Sequence, residues 1–293
     1  MDKPFGTSTT HCARGIAGFI KPAKVGHAGT LDPMATGLVI LLVGRATKLF
    51  PYMSIEDKCY TGKIYLGRVT STGDREGDTI SVSPVDVMER TLFEIADRLT
   101  GIREQNPPAF SAVKYRGKPL YSYARKGIQV ETKPRKINVE SFRITGIELP
   151  EVSFEAVVSK GTYMRCLAED FGKMAGCGAF LSELRRTRNG RFDVEEAHNF
   201  EKLLDSAKTG RLKSYILDMR DALKHMPSVE VDSAAIGEIA HGKSFPLSEI
   251  PQSEDGRFKI VDERKVLAIA RREDNCFGYR YERVMLRPEE IEN

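Results

Sequence analysis

Two hydrophobic periods share this chain, and the way they interleave limits its architecture. Residues 59–66 (CYTGKIYL) and 152–159 (VSFEAVVS) alternate apolar and polar positions, the period of half-buried strands. The longest uninterrupted aliphatic run, residues 38–43, reads as a further strand. A period near 3.6 appears in Met88, Leu92, Ile95 and Leu99, which share one face of a helix predicted to start after Ser83, with Gly101 as its stop. A second helix is predicted over 164–175: Met164, Leu167, Ala168, Phe171, Met174 and Ala175 form its buried stripe, and Gly176 ends it. The two periods are mixed without strict alternation, which predicts an α+β fold rather than a doubly wound parallel sheet. No self-similar period is present, which excludes a solenoid.

Near His225 the pattern changes. Short runs at 229–231, 258–261, 265–270 and 277–281, separated by turn-rich stretches such as 251–256, predict a small, mainly β domain. The expected organisation is a larger domain over 1–225 and a smaller one over 226–293, consistent with a total of 293 residues. A unit of about 65 residues is marginal alone, so it is expected to pack against the larger domain.

A helix that crosses a bilayer needs roughly 20 apolar residues, far more than the aliphatic run here. The start, MDKPFG, carries no basic and apolar leader pattern. A cytoplasmic protein without a membrane span is therefore expected. The cysteines Cys12, Cys59, Cys166, Cys177 and Cys276 form no C-x-x-C pair, and the five histidines do not gather near them. Reduced thiols and no metal site are expected.

The charge is unevenly spread. Residues 1–191 hold 29 Lys and Arg against 20 Asp and Glu, whereas 192–293 hold 16 against 21. Residues 101–146 alone carry 10 basic and 3 acidic side chains. Such a cluster can attract a polyanion through counterion release, but a solvated face would look the same, and charge alone leaves both open.

Two segments carry the chemistry. In KVGHAGTLDPMATG (24–37), three glycines allow close backbone approach, and Pro33 holds Asp32 extended. The loop presents Asp32 at a strand end, either as a catalytic carboxylate or as the start of an Asx-type turn. In SKGTYMRCLAEDFG (159–172), Tyr163 and Arg165 sit where a strand meets a helix N-terminus. If Arg165 faced Asp32, the pair would keep the carboxylate ionised and directed. Core packing for Tyr163 and a surface cation for Arg165 are the plain alternatives. The carboxylates Asp74, Glu76 and Asp78 alternate along STGDREGD and are read as decoration of a hairpin turn, because the rest of a calcium-loop pattern is missing.

With these segments in place, the chain resembles the TruB-type tRNA pseudouridine synthases. The likeness runs through DKPFGTSTT (2–10), GHAGTLDPMATG (26–37), GRATKL (44–49), KCYTGKIYLGRVTSTGDREG (58–77), PPAFSAVKYRGKPLYSYARKG (107–127) and SKGTYMRCLAEDFG with CGAFLSELRRTRNGRF (159–192). The blocks keep the family's order over nearly all of 1–192. The region after 225 is similar only in a general way to the small β-barrel-like PUA-like RNA-binding domain that often ends such enzymes. The resemblance implies an α+β catalytic domain with a mixed central sheet and a cleft, and base flipping of the uridine at position 55 in the tRNA T-loop.

On this likeness Asp32 is the nucleophile, Tyr60 the aromatic that stacks on the target base, and Arg165 the partner of Asp32. Tyr163 is a second site aromatic, Leu184 lines the uracil pocket, and His27 lies against the RNA displaced by flipping. Lys114 and Lys118 in the basic 101–146 insertion, together with Arg185, Arg186, Arg188 and Arg191, are expected to touch phosphate. Isomerisation gains and loses no atoms and moves no electrons overall, so no cofactor is implied. The expected partner is tRNA, with no obligatory protein partner and a monomeric enzyme. A guide-dependent synthase inside a ribonucleoprotein and a non-catalytic RNA-binding or folding module are the rivals. A glycoside hydrolase would need two opposed carboxylates, of which only Asp32 is apparent. Similar chains usually carry a short apolar strand before Asp-Lys-Pro, whereas here Met1 directly precedes Asp2, which puts the N-terminal sheet edge in question.

Overall fold

The computed structural model describes residues 1–53, 57–243, 245–247, 249–263, 265–273 and 278–286. Its centre is a mixed sheet with the strand order Asp2–Lys3, Thr36–Leu38, Ala179–Asn189, Lys58–Leu66, Glu151–Val158, Arg135–Glu148 and Gly101–Gln105, with Phe192–Asp193 attached to Ala179–Asn189. The Ala179–Asn189 pairing with Thr36–Leu38 is parallel, and the other pairings in this sheet are antiparallel. Helices Glu89–Leu99 and Met164–Met174 pack on one face, where Leu92, Ile95, Leu99, Leu167 and Phe171 join Ile64 and Phe154 of the sheet in one hydrophobic core. The α+β expectation and its mixed sheet are met.

Three local readings need correction. The first long helix begins at Glu89, not after Ser83, and Met88 of the predicted stripe is 75% exposed at its N-cap. Pro84 follows Ser83, and Val85 and Val87 pack on the core from an extended segment, so a period of two governs up to residue 88. Met174 also lies outside the buried face of its helix. The run 38–43 is split: Thr36–Leu38 belongs to the central sheet, while Ile40–Val43 pairs with Val25–Ala28. Val39, fully buried between them, donates its N–H to the Met1 carbonyl at 2.8 Å, so Met1 and the Asp2–Lys3 strand hold the sheet edge.

The ends of the basic 101–146 stretch are sheet. Gly101–Gln105 and Arg135–Glu148 pair with each other, and only 106–134 projects, carrying the hairpin Lys114–Tyr115/Lys118–Pro119 and helix Leu120–Ala124.

After residue 226 the strands Ser228–Glu230, Arg257–Val261, Val266–Arg272 and Tyr279–Val284 form an open four-stranded sheet. The predicted strand at 277–281 starts at Phe277, which lies outside the described residues. No closed barrel occurs among the described residues, and helix Ser233–Ala240, capped by Asp232, interrupts the expected run of strands. Its sequence SAAIGEIA is short and nearly uniformly apolar, so it lacks the polar contrast that marks an amphipathic helix. Val261, Val266, Ile269 and Met285 share a core with Leu42, Leu49, Tyr52 and Leu223, and Lys259 Nζ donates to the carbonyls of Leu223 and Met226 at 2.6 and 3.0 Å. The smaller sheet thus packs on the larger part, as its size requires. Among the described residues no helix is long and apolar enough to cross a membrane.

Candidate active site

The loop bearing Asp32 is fastened from two sides. Thr9, at the start of helix Thr9–Ala17, accepts the Leu31 N–H at 2.9 Å and donates to the Leu31 carbonyl at 3.0 Å. Lys3, almost fully buried, spends its ammonium on the carbonyls of Pro4, Thr7 and Pro33 at 2.8, 2.7 and 3.2 Å. Burial pulls its pKa down to about 8. From the Ala179–Asn189 strand, Arg186 donates to the carbonyls of Leu38 (2.7 Å) and Gly29 (3.1 Å), and Asn189 to that of Ala28 (3.2 Å). Gly37 has φ +100, and a Cβ there would stand 2.3 Å from the Arg186 carbonyl oxygen, so only glycine fits this crossing.

Asp32 projects from this braced loop onto Arg165. The Arg165 Nε lies 2.9 Å from Asp32 Oδ2, and the arginine side chain is 4% exposed against 36% for the aspartate. Both terminal nitrogens of the guanidinium are engaged by main chain: Nη1 donates to Thr72 O at 2.9 Å and Nη2 to Phe110 O at 2.7 Å. Two connecting segments therefore orient one cation, which faces the carboxylate as a close ion pair. Burial pushes the Asp32 carboxyl above its ordinary range; Arg165 opposes that shift and Asp74 adds to it.

Asp74 is the residue beside Arg165 that the sequence reading missed. The hairpin between Arg68–Thr70 and Thr79–Val82 forms as expected, but Asp74 turns inward instead of decorating it. Its Oδ1 accepts the Thr72 hydroxyl at 2.5 Å and the Glu76 N–H at 3.0 Å, and its Oδ2 stands 3.6 Å from Arg165 Nε. Burial and the two aspartates also raise the pKa of Glu76. Nothing in STGDREGD separates an inward aspartate from two outward acids, because the partner is 91 residues further along the chain. Asp32 and Asp74 approach the same nitrogen, which is not the opposed pair that sugar hydrolysis needs.

Tyr163 caps helix Met164–Met174 and is clamped by Gln105, which accepts the Tyr163 N–H at 2.8 Å and donates to its carbonyl at 3.1 Å. Burial pushes its phenol above the ordinary value, so it stays protonated at neutral pH. Tyr60, on strand Lys58–Leu66, and Leu184, on the neighbouring strand, are buried in the hydrophobic cluster that also holds Leu31 and Met34 on either side of Asp32. The structure thus gathers Asp32, Arg165 and Tyr163 at one end of the helix, with Tyr60 and Leu184 in the apolar wall.

The remaining candidates lie elsewhere. His27 is on the far flank of the loop, and its Nδ1 is buried with no hydrogen-bond partner among the described residues. Burial and Arg186 lower its pKa, so the ring is neutral at pH 7. Arg185 pairs with Asp2 at 2.7 Å. Lys114 and Lys118 are exposed on the projecting hairpin, beside Tyr115 with the Arg116 guanidinium 5.4 Å from its ring centre. Arg186 corrects an expectation: it is 1% exposed and braces the loop instead of standing on the surface.

Family models place residues 18–164 in the TruB family pseudouridylate synthase N-terminal domain and residues 165–224 in the tRNA pseudouridylate synthase B C-terminal domain. The chain is 39% identical over 276 residues to tRNA pseudouridine synthase B of Aromatoleum aromaticum, covering 94% of this chain and 88% of the relative. It is 34% identical over 283 residues to the protein of that name in Aeromonas salmonicida, covering 94% and 89%. Among solved structures it is similar in fold to a Cbf5-Nop10-Gar1 complex, with TM-score 0.73 and 23% identity over 99% of this chain and 85% of that one. An H/ACA ribonucleoprotein bound to a substrate RNA containing 2'-deoxyuridine matches with TM-score 0.71 and 22% identity over 98% and 84%.

Proposed function

Since this chain belongs to the TruB family of pseudouridylate synthases, we propose that it isomerises the uridine at position 55 of the tRNA T-loop to pseudouridine, with Asp32 as the nucleophile. The observation that carries the reading is the 2.9 Å Asp32–Arg165 pair at the edge of an apolar wall. The reaction breaks the N1–C1′ bond, turns the uracil and rejoins it through C5; the proton on C5 leaves and N1 takes one up. A directed anionic oxygen divides that rearrangement into easier steps. Arg165 opposes the rise that burial imposes on the Asp32 pKa and so favours the charged oxygen. Tyr60 offers the detached base a π-face that tolerates rotation, worth about 1–3 kcal/mol by the usual stacking measure. Tyr163 and Leu184 exclude water, which strengthens the ion pair.

The uridine must first leave the stack, a step costing a few kcal/mol. Phosphate contacts from the projecting 106–134 segment, Lys114 first, and from Arg185 offset that cost and position the RNA without reading its sequence. His27 meets the displaced strand. The 226–293 unit is read as a PUA-like RNA-binding domain on the catalytic domain of 1–225. The protein works as a monomer on bare tRNA in the cytoplasm. Guide-dependent action has only likeness of fold behind it.

The test is to incubate purified protein with unmodified tRNA transcript, without guide RNA, and map pseudouridine. Wild type is expected to convert one T-loop uridine, and Asp32→Asn to convert none while still binding tRNA. Undiminished turnover by Asp32→Asn would remove the nucleophile assignment. Conversion that requires an added guide or protein would favour the ribonucleoprotein reading.

A further inference from the structure

Behind the nucleophile loop lies a group of cations that the chemistry above does not use. Lys58 is 9% exposed, yet among the described residues it makes neither a hydrogen bond nor an ion pair. Its Cε lies 3.9 Å from the point where a Cβ on Gly29 would be, and Arg186 Nη1 lies 3.5 Å from the same point. Gly29 has φ +101, so this recess is left open by a residue whose backbone disfavours any side chain. The Nε and Nη2 of Arg186 are taken by Leu38 O and Gly29 O. Lys160, exposed at the end of the adjoining strand, extends the positive field to solvent.

The Lys58 side chain is mostly buried, and its ammonium reaches solvent without a partner among the described residues, which is costly beside other cations. Burial, then Arg186 and Lys160, bring the Lys58 pKa down to about 8, and only Asp57 opposes them. An anion in the recess would offset the desolvation of Lys58. Asp32, three residues from Gly29, ties the recess to the reacting centre. We infer that Lys58 and Lys160, with the charge of Arg186 behind them, form a subsite for one phosphate of the RNA backbone next to the flipped uridine. The proposal rests on the RNA-modifying reading above for the source of the phosphate, and on the unpaired Lys58 for the site itself.

The test walks a single neutral methylphosphonate linkage along a T-arm stem-loop RNA and measures binding to full-length protein carrying Asp32→Asn, so that no RNA is converted. One linkage next to the target uridine is expected to weaken binding about tenfold. Lys58→Met should weaken binding of the all-phosphate RNA by a similar factor, with no further loss at that linkage, while Lys58→Arg restores it. Binding should also weaken above about pH 8 with Lys58 and not with Lys58→Arg, because arginine stays charged. Losses that multiply at every linkage, or Lys58→Met binding that equals the parent, would overturn the subsite. So would thermal stabilisation by inorganic phosphate that needs Lys58 while every methylphosphonate position is silent, since the site then takes free phosphate. If methylphosphonate and Lys58→Met are coupled but the wild-type protein converts no uridine, the subsite stands and the activity assignment fails.

Discussion

Arg165 Nε stands 2.9 Å from Asp32 Oδ2 as an ion pair, while its two terminal nitrogens donate to the carbonyls of Thr72 and Phe110, from segments before and within the projecting insertion. A lysine at this position carries its charge on one nitrogen and cannot span the Thr72 and Phe110 carbonyls while keeping that charge beside Asp32. Arg165→Lys is therefore expected to lower kcat by roughly 10²–10³, the usual scale for losing one preorganised electrostatic contact. The pH profile supplies the sign. Asp32 works ionised, burial raises its pKa and Arg165 lowers it. Loosening the cation moves the acid limb of kcat/KM to higher pH. An acid limb that stays put or moves down would mean that Arg165 does not set the charge of Asp32.

The same shift predicts a stability effect of Asp32 itself. A carboxyl whose folded pKa exceeds its unfolded value of about 3.9 destabilises the fold whenever it is ionised. The penalty is fully present above the folded pKa and vanishes as pH falls below the unfolded one. Asp32→Asn removes it, and Asp74 still faces Arg165 at 3.6 Å. The variant is expected to melt about 2 °C higher than wild type at pH 7, with the gap closing on acidification. Thermal denaturation of both proteins over a pH series checks this, and a lower melting temperature at pH 7 would contradict it.

Much of the fold was legible because it is local. The strands at 58–66 and 151–158 and the helix at 164–174 follow from short-range period, whereas the G-T-L-D-P loop showed Asp32 at a strand end and left its role open until the family likeness was read. The rest of the site was not, because its parts are defined by partners far along the chain. Thr9 acts on Leu31, 22 residues away, and Lys3 on Pro33, 30 residues away. Gln105 acts on Tyr163 across 58 residues. A buried lysine and a surface lysine have the same letter, so Lys3 and Lys58 carried no local signal of burial. The shift of the first long helix has a different cause: the apolar spacing at Met88 fits a helix, but the extended Val85 and Val87 had already claimed the core.

Gln105 is expected to act on the chemical step through Tyr163. It satisfies both the N–H and the carbonyl of that residue. Gln105→Ala leaves both groups without that partner, at about 1 kcal/mol each, and frees Tyr163 to shift where reacting groups need close placement. A kcat lowered about tenfold with RNA affinity kept is the expected result. Gln105→Glu, which can accept from the N–H but not donate to the carbonyl, should fall between. Steady-state kinetics with tRNA separates the cases: a raised KM at unchanged kcat would place Gln105 in RNA binding instead.

Lys114 and Lys118 stand on a hairpin whose strands are only two residues each, so their contribution to the fold is small. Both are exposed, and neither pairs with an acid among the described residues. Their value is in neutralising phosphate, which displaces counterions and makes affinity fall with salt. Replacing both by alanine removes up to two such contacts. Weaker tRNA binding and a log–log salt slope shallower by about 1–2 are expected, with kcat at saturating tRNA little changed. Binding titrations over a salt series measure the slope directly. An affinity loss with the wild-type slope would point to a change in hairpin shape, whereas an unchanged affinity would take this hairpin out of the RNA interface.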